Sequence, residues 1–461
     1  PVVGGDGKPT GYEIENSLRL TDNAYLNITR SSQSNTTGTF SAWIKTAAQN
    51  SFQLAGGHTD VNNRSYIYFP SSGDGFSGGI FSRTSGSADL NFSTSAVYRD
   101  PSAWYHLVVA IDTTQSTESN RVKWYVNGEQ ITSFSASTYP SQNASIPILN
   151  KATQTIGAGY GASAVSVWSD GYMAEVYYID GTQYAASNFG ETNDNGVWIP
   201  KDASGDLTFG TNGFYLEFKQ TGTSQNSSGI GADTSGNDNH LAVNSLSATD
   251  VTEDTPTNNF CTLNPLSAGS DMRANGSFKE GNCELVNGGT GGEANGQKCS
   301  GTIGFANGKW YWEVKLISNT MTAGIVDSSI STTSDINLGS KNAVTYDSET
   351  GAINNINGAV QGETVSSQYD DGDIVGVAVD ADNGAVYFSK NGTYQNSGNP
   401  ASGASKTGGA SFTLGNQMLP LAADNSSASA GNHQYNFGNA PFSISSGNSD
   451  GKYGNFEYAP P

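Results

Sequence analysis

Two stretches of this chain, one in each half, follow the same plan, and that plan admits few folds. WYHLVVAIDTTQSTESNRVKWYVNG at 104–128 reads as a strand ending in Asp112, a polar excursion, a second alternating strand, and the turn Asn127-Gly128. DGDIVGVAVDADNGAVYFSKNG at 371–392 repeats the design with a shorter connection, its first strand ending in Asp380 and its second closed by Asn391-Gly392. An Asn-Gly pair beside alternating apolar and polar residues is a hairpin signal. One copy per half predicts two domains of related antiparallel architecture.

The rest of the sequence extends this pattern. SLRLTDNAYLNITR at 17–30 reads as strand, turn, strand, and GTFSAWIKTA at 38–47 places Phe40, Trp43 and Ile44 in the core. SFQLAGG, RSYIYFP, GFSGGIFSR and ADLNFST follow as further strands, each bounded by Gly, Ser, Asn or Pro. Turn signals about every ten residues are those of a β-sandwich. In DGYMAEVYYIDG at 170–181, strict alternation puts Tyr172, Ala174, Val176 and Tyr178 on one face. YAASNFGE forms a single helical turn, VWIPK at 197–201 a closing strand or edge, and GTNGFYLEF another strand. At 461 residues, the chain has room for two to four domains at about 100–200 residues each. Charged residues make up 14%, against about 25% in ordinary globular proteins. Hydroxyls and amides must therefore cover much of the surface, as suits a secreted, cell-surface or virion β-protein.

The charge balance narrows the partners. With 42 acidic and 21 basic residues, the formal net charge is -21. Nucleic acid and anionic lipid bind through Lys and Arg, so a field of this sign repels them. No apolar run approaches the roughly 18 residues that span a bilayer. The N-terminus PVVGGDGKPTGYEIEN carries no basic-then-apolar leader. The expectation is cytoplasmic synthesis, loss of an initiator Met before Pro1, and release by host lysis. Cys261, Cys283 and Cys299 form no C-x-x-C pair, and an odd number cannot pair completely. Idle thiols are expected, with a Cys283–Cys299 bridge as the alternative.

The order W-Y-H-L-V-V-A-I-D, W-Y-V-N-G, D-G-Y-M-A-E-V resembles the laminin-G/concanavalin-A-like jelly roll over about residues 12–200. In the second half, GTIGFANGKWYWEVKLIS at 301–318 has Trp310 and Trp312 on one side of a strand. The DGDIVGVAVDADNGAVYFSKNG hairpin follows it, and then LPLAADNSSASAGNHQYNFG at 419–438 gives strand, loop, strand. This order resembles the SPRY domain, itself a concanavalin-like sandwich. The implied fold is all-β, two tandem concanavalin-A-like antiparallel sandwiches. The laminin-G-like domain is expected at 1–204, a polar linker or embellishment at 205–265, the SPRY-like sandwich at 266–445 and a C-terminal tail at 446–461. Across the whole chain, FGETNDNGVWIPK, the connector DTPTNNFCTLNPL and GKWYWEV resemble proteins encoded by marine bacteriophages, in which a laminin-G-like domain precedes a SPRY-like one. That resemblance implies a virion or fibre-associated protein, exposed outside the cell after assembly, in contact with other virion proteins and oligomeric.

Catalytic signatures are missing from the sequence. Retaining glycosidases on such sandwiches carry E-x-D-x-E words that set carboxyls about 5 Å apart, and none occurs. The acidic clusters at Glu191–Asp194 and Asp370–Asp373 sit beside Gly and read as turns. His58, His106, His240 and His433 are scattered, and His106 is expected to be a hydrogen-bonded sheet residue. Calcium needs six to eight oxygens. Asp112, Asp170, Asp180, Asp380 and Asp382 are its isolated candidates, and a tight turn already accounts for Asp380–Gly384. No cofactor is expected otherwise. Glycans need an aromatic platform with polar groups around it. The loop carrying Tyr160, Trp168 and Asp170 has that composition, although the two rings would equally serve to cap the sandwich. Asn27, Asn35, Asn63 and Asn391 begin N-x-S/T words that chance supplies in Asn- and Ser-rich sequence. The expected function is therefore a non-enzymatic virion component for fibre, decoration or attachment, with a carbohydrate-binding adhesin or receptor-binding lectin as the alternative and a polysaccharide-degrading enzyme, for want of the carboxylate word, behind both.

Overall fold

The computed structural model describes residues 11–461 except 22, 31–33, 48–51, 70, 73–74, 151–152, 270–271, 273–274, 289–297, 330–341, 358–359 and 424–430. The loop expected between the strands of 419–438 thus falls largely outside the described residues. The chain divides into two compact units, Pro1–Asn259 and Phe260–Pro461. Both are built from antiparallel sheets, the all-β sandwich architecture that the alternation implied.

In the first unit an eight-stranded hairpin sheet runs Glu129–Ile131, Val122–Val126, Tyr105–Asp112, Thr37–Thr46, Gly171–Asp180, Ser17–Leu20, Val251–Thr252, with Phe214–Leu216 also paired to Gly171–Asp180. The second eight-stranded sheet runs Phe134–Thr138, Ser87–Thr94, Gly79–Thr84, Asn63–Phe69, Phe52–Asp60, Thr153–Ile156, Tyr25–Thr29, Ala242–Asn244. Alternate residues of each meet between them. Phe40, Ile44, Val109 and Trp124 pack with Ile67, Phe69, Ile80 and Phe92, each contributing about 1.5–3 kcal/mol on full burial.

Phe40, Trp43 and Ile44 are all core as expected, in two clusters: odd positions of the strand point away from Phe40 and Ile44, so Trp43 joins Ile14 and Ala174 on the far side of the sheet. One expectation about facing is corrected here. Tyr172, Ala174, Val176 and Tyr178 do not share one face. A register shift lies between Ala174 and Tyr177, and Glu175 there has φ 51°. Beyond this bulge the alternation inverts, so Met173, Val176 and Tyr178 face the core while Ala174 faces outward.

The stretch expected to be a linker or embellishment contributes strands to the first unit. Phe214–Leu216 pairs with Gly171–Asp180, Ala242–Asn244 with Tyr25–Thr29, and Val251–Thr252 with Ser17–Leu20. Buried charges fasten its end. Lys45 Nζ lies 2.8 Å from Asp254 Oδ2 with both side chains 1% exposed, and Trp104 Nε1 donates to Asp254 at 3.2 Å. Strands of two or three residues with polar side chains carry almost no alternation, which is why composition alone reads this region as a connector.

The second unit has an eight-stranded sheet, Ser277–Lys279, Glu284–Val286, Asn432–Asn436, Lys309–Ser318, Ile374–Asp380, Ala385–Lys390, Thr393–Tyr394, with Ala410–Ser411 on Ala385–Lys390. Its six-stranded partner runs Lys298–Ser300, Met418–Ala423, Thr322–Asp327, Asn342–Asp347, Ala352–Asn357, Val360–Val365. Tyr346 meets Phe388 between them at 5.3 Å. The C-terminal residues return to the first of these sheets, where the buried Glu313 accepts from the amides of Glu457 at 2.9 Å and Tyr458 at 2.7 Å. All three cysteines are thiols, Cys283 and Cys299 buried.

The repeated hairpins coincide in detail. Asn127 and Gly128 have φ 48° and 83°, and Asn391 and Gly392 have 47° and 78°, the left-handed pair of a type I′ turn. Asn127 Oδ1 accepts from the His106 amide at 2.8 Å, and Asn391 Oδ1 from that of Ile374 at 2.9 Å. An aromatic ring covers each glycine. A Cβ at Gly128 would lie 2.3 Å from Trp198, and one at Gly392 2.6 Å from Tyr458.

Candidate functional site

Tyr160 and Trp168 stand on the short hairpin Ala158–Tyr160/Val165–Trp168, laid over the second sheet of the first unit. The Ala158 carbonyl accepts from Thr155 Oγ1 at 2.7 Å, and a Cβ on Gly159 would meet Gln53 Oε1 at 2.8 Å. Each ring has its own protein partner. Tyr160 stacks on His58 with centroids 4.4 Å apart, and Trp168 tilts against Tyr25 at 5.6 Å. His58 and Tyr25 belong to strands separated by Thr153–Ile156, so the two rings are held at different places. Asp170 follows the hairpin, its carbonyl accepting from the Ala47 amide at 3.1 Å.

Beside this hairpin the outer face of the second sheet collects aromatic and cationic side chains that sequence reasoning did not single out. On Asn63–Phe69, Ser65, Ile67 and Phe69 are buried while Arg64, Tyr66 and Tyr68 point away from the core; on Gly79–Thr84, Phe81 and Arg83 do the same. Register sets Tyr66 opposite Phe81 and Arg64 opposite Arg83. Tyr66 and Phe81 stack at 5.3 Å and 27°, and Tyr68 meets Tyr66 edge-on at 5.1 Å. Arg64 and Arg83 each lie 5.8 Å from a ring centroid, over Tyr66 and Phe81 respectively. Arg64 Nη1 also donates to the Tyr160 carbonyl at 2.6 Å, which fixes the hairpin as a side wall. Asn91, paired with Phe81, adds an amide. All of these side chains are half-buried. The signal was present in the word RSYIYF, where Arg, Tyr and Tyr alternate with Ser, Ile and Phe.

Such a surface can stack the apolar face of a sugar ring and offer donors at its edge. Acid–base chemistry has less to work with. Glu175, held in its bulge, is the carboxyl most perturbed toward neutrality. Burial pushes it up to about 7, against the hydrogen bonds from Tyr215 and Tyr177. Those bonds measure 2.5 and 2.8 Å, and Tyr12 approaches at 3.4 Å. The Tyr177 and Tyr215 rings stack at 4.2 Å and 7°. Glu217, the next acid, pairs with Lys219 at 2.7 Å. Phenols thus occupy the Glu175 oxygens, and the arrangement locks the bulge.

His106 has the structural surroundings of a sheet residue. Trp198 Nε1 donates to Nδ1 at 3.1 Å, so Nε2 carries the proton toward Ser41 Oγ at 2.9 Å, and burial pushes the imidazole down to about 3. The acidic residues considered for calcium serve their turns. Asp112 accepts from Thr114 Oγ1 and Gln115 Nε2, both at 2.6 Å; burial opposes ionisation, but these bonds outweigh it and hold the carboxyl below its usual range. Asp180 accepts from the Ser34 amide at 2.8 Å and Asn212 Nδ2 at 2.9 Å. Asp380 accepts from Lys309 and Asn383, and Asp382 from the Gly308 amide at 2.8 Å. Among the described residues no group of three or more His, Cys, Asp or Glu is placed to hold a metal ion.

Comparison with known proteins agrees with the two sandwiches. Residues 20–182 match the family model for the concanavalin A-like lectin/glucanases superfamily, of laminin-G type, and residues 309–409 match the SPRY domain. The chain therefore carries a concanavalin A-like domain followed by a SPRY domain. Among solved structures, it is similar to the SPRY domain of human HERC1 at 16% identity, covering 38% of this chain and 96% of that one with a TM-score of 0.29. It is also similar to a pentraxin from Limulus polyphemus at 14% identity, covering 38% and 80%, TM-score 0.28. Domains LG4-5 of the mouse laminin alpha1 chain align at 10% identity over 95% of this chain and 92% of that one, TM-score 0.32. No curated protein matches the sequence.

Proposed function

We propose that this is a non-enzymatic binding protein that grips a surface glycan through the Tyr66/Phe81 face, and that it works as an exposed fibre, decoration or attachment component of a virion. The observation that carries the binding role is the stacked, half-buried Tyr66–Phe81 pair, flanked by arginines and walled by the Tyr160 hairpin. The virion placement rests on the whole-chain resemblance to phage-encoded proteins, and with it the contacts to other virion proteins and the display of several copies, which turns weak contacts into avidity. Metal-independent binding is part of this proposal, in keeping with the protein donors that Asp112, Asp180 and Asp380 already receive.

The test is saturable binding of the chain to host-surface polysaccharide. Loss of binding in Tyr66→Ala with Phe81→Ala, with chelator making no difference, is the expected result. Undiminished binding in that double variant overturns the site, and absence of the chain from purified particles overturns the virion placement.

A further inference from the structure

We infer that the Tyr66/Phe81 face selects an anionic glycan, specifically a polysaccharide of uronic acids, and that Arg83 with Arg64 reads its carboxylates; this rests on the glycan-binding reading of the same face. The inference begins from a conflict of charge. Arg64 and Arg83 are direct cross-strand partners, and like charges directly opposite one another destabilise a sheet. A nearby carboxylate would relieve the repulsion, and acids outnumber bases 42 to 21 in this chain. Among the described residues, however, neither guanidinium forms a salt bridge. Asp89, on the outward face of the adjacent strand at the bulge beside Arg83, forms no salt bridge among these residues either and leaves one carboxylate oxygen without a hydrogen bond, and Asp60 caps its own turn by accepting from the Asn62 and Asn63 amides at 2.7 and 3.0 Å.

The protein also leaves these cations unsatisfied in hydrogen bonding. The Nε of both Arg64 and Arg83 is buried without a partner. Both guanidiniums are instead laid against rings, Arg64 at Tyr66 and Arg83 at Phe81. Arg64 spends Nη1 on the carbonyls of the Tyr160 hairpin, whereas Arg83 has no protein acceptor among the described residues. Two cations without an ion pair, both at the margins of half-buried rings, give a local point of attraction on a protein whose net charge otherwise repels anions, and so complement a ligand that is apolar on its face and anionic at its edge.

A uronic acid has that form. Its pyranose face stacks on an aromatic ring, and its carboxylate projects from the ring edge, near the mean plane of the sugar. Stacked on Phe81 or Tyr66, such a residue turns its carboxylate toward the guanidinium, whose planar fork matches carboxylate geometry. A sulfate ester is tetrahedral and carried on a flexible arm, so it gains less from this fixed arrangement. Asn91, opposite Phe81, remains for a sugar hydroxyl.

The experiment measures binding of the full chain to polygalacturonate and alginate, with dextran sulfate and uncharged dextran as comparisons. Polyuronate binding that falls with added salt, and that weakens about tenfold in Arg83→Gln, is expected; Arg83→Lys should retain part of it. Arg83 is chosen because among the described residues it makes no hydrogen bond or salt bridge that its loss would break, so the variant keeps the fold, whereas Arg64 also anchors the hairpin. Equal binding of dextran and polyuronate, insensitive to Arg83→Gln but lost in Tyr66→Ala, overturns the charge selectivity and leaves the glycan face standing. Preference for dextran sulfate overturns the assignment to carboxylates. Failure of all four polymers to bind overturns both the selectivity and the face.

Discussion

The hairpins at Asn127-Gly128 and Asn391-Gly392 agree in backbone angles, in the asparagine bond to the neighbouring strand, and in the aromatic ring laid over the glycine. The sheets that pack against them differ. In the first unit that sheet turns Arg64, Tyr66, Phe81 and Arg83 outward; in the second, its outer side is a buried aliphatic cluster of Val326, Ala343, Ile356 and Leu421. Each hairpin sheet also buries one glutamate that ties down a late segment. Glu175 receives Tyr215, and Glu313 receives the amides of residues 457 and 458. The repeated parts are therefore architectural, and the difference in chemistry lies on the opposite sheet.

The largest expected effect comes from Glu313→Ala. Removing that carboxylate leaves the two tail amides without their acceptor and takes one of two acceptors from Asn436 Nδ2, which keeps the Asn455 carbonyl; the unfilled donors together should cost about 3 kcal/mol. Urea unfolding would show the loss, with faster proteolysis near residue 457; an intact tail would mean that the glutamate does not tether it.

Next is the pH dependence of Glu175. Its folded value of about 7 lies above the ordinary 4.5, so its contribution is fully present below the lower value and is lost as pH rises to the upper one, on the order of 3 kcal/mol in all. His106 acts in the opposite direction: its folded value of about 3 lies below 6.5, so its contribution is present above the ordinary value and lost as pH falls toward the folded one. Over the shared range of about pH 4.5 to 6.5 the two slopes oppose one another, so Glu175→Gln should leave that of His106 alone and make stability rise with pH there. Unfolding measured across about pH 4 to 8 checks this, and an unchanged profile would refute it.

Gly128→Ala and Gly392→Ala test whether the turns are truly equivalent. A left-handed backbone conformation costs a residue with a Cβ about 1–2 kcal/mol, and each new methyl must also displace a ring, Trp198 or Tyr458. Losses of about 2 kcal/mol at both sites are expected, read as shifts in the denaturant midpoint, and a loss at only one site would break the parallel. The smallest effects are those of Asp112→Asn and Asp380→Asn, about 1 kcal/mol each. The second should be the larger because Lys309 loses its partner, and the reverse order would show that the ion pair contributes nothing.

Much of this was legible in order along the chain. The hairpins, the two sandwiches and the sheet role of His106 follow from alternation, Asn-Gly turns and local spacing, which the backbone enforces wherever it is extended. Tyr172 and Ala174 were assigned to the wrong face because a single residue, Glu175, takes a left-handed conformation that its own letter does not announce. Within 205–259 the strand in GTNGFYLEF was legible, and the remainder read as a linker or an embellishment because its strands are too short to alternate, while its anchors, Lys45 and Trp104, lie far away in sequence.

By itself, then, the sequence determined which of the longer segments become strands, where the hairpins turn, and that the charge balance is acidic. Only the tertiary structure decided which strands are neighbours, because antiparallel pairing joins residues whose separation in sequence leaves no local trace. That pairing sets Arg64 beside Arg83 and stacks Tyr66 on Phe81. It also gives Tyr160 to His58 and Trp168 to Tyr25, and so moves the proposed binding surface from the loop to the sheet beside it.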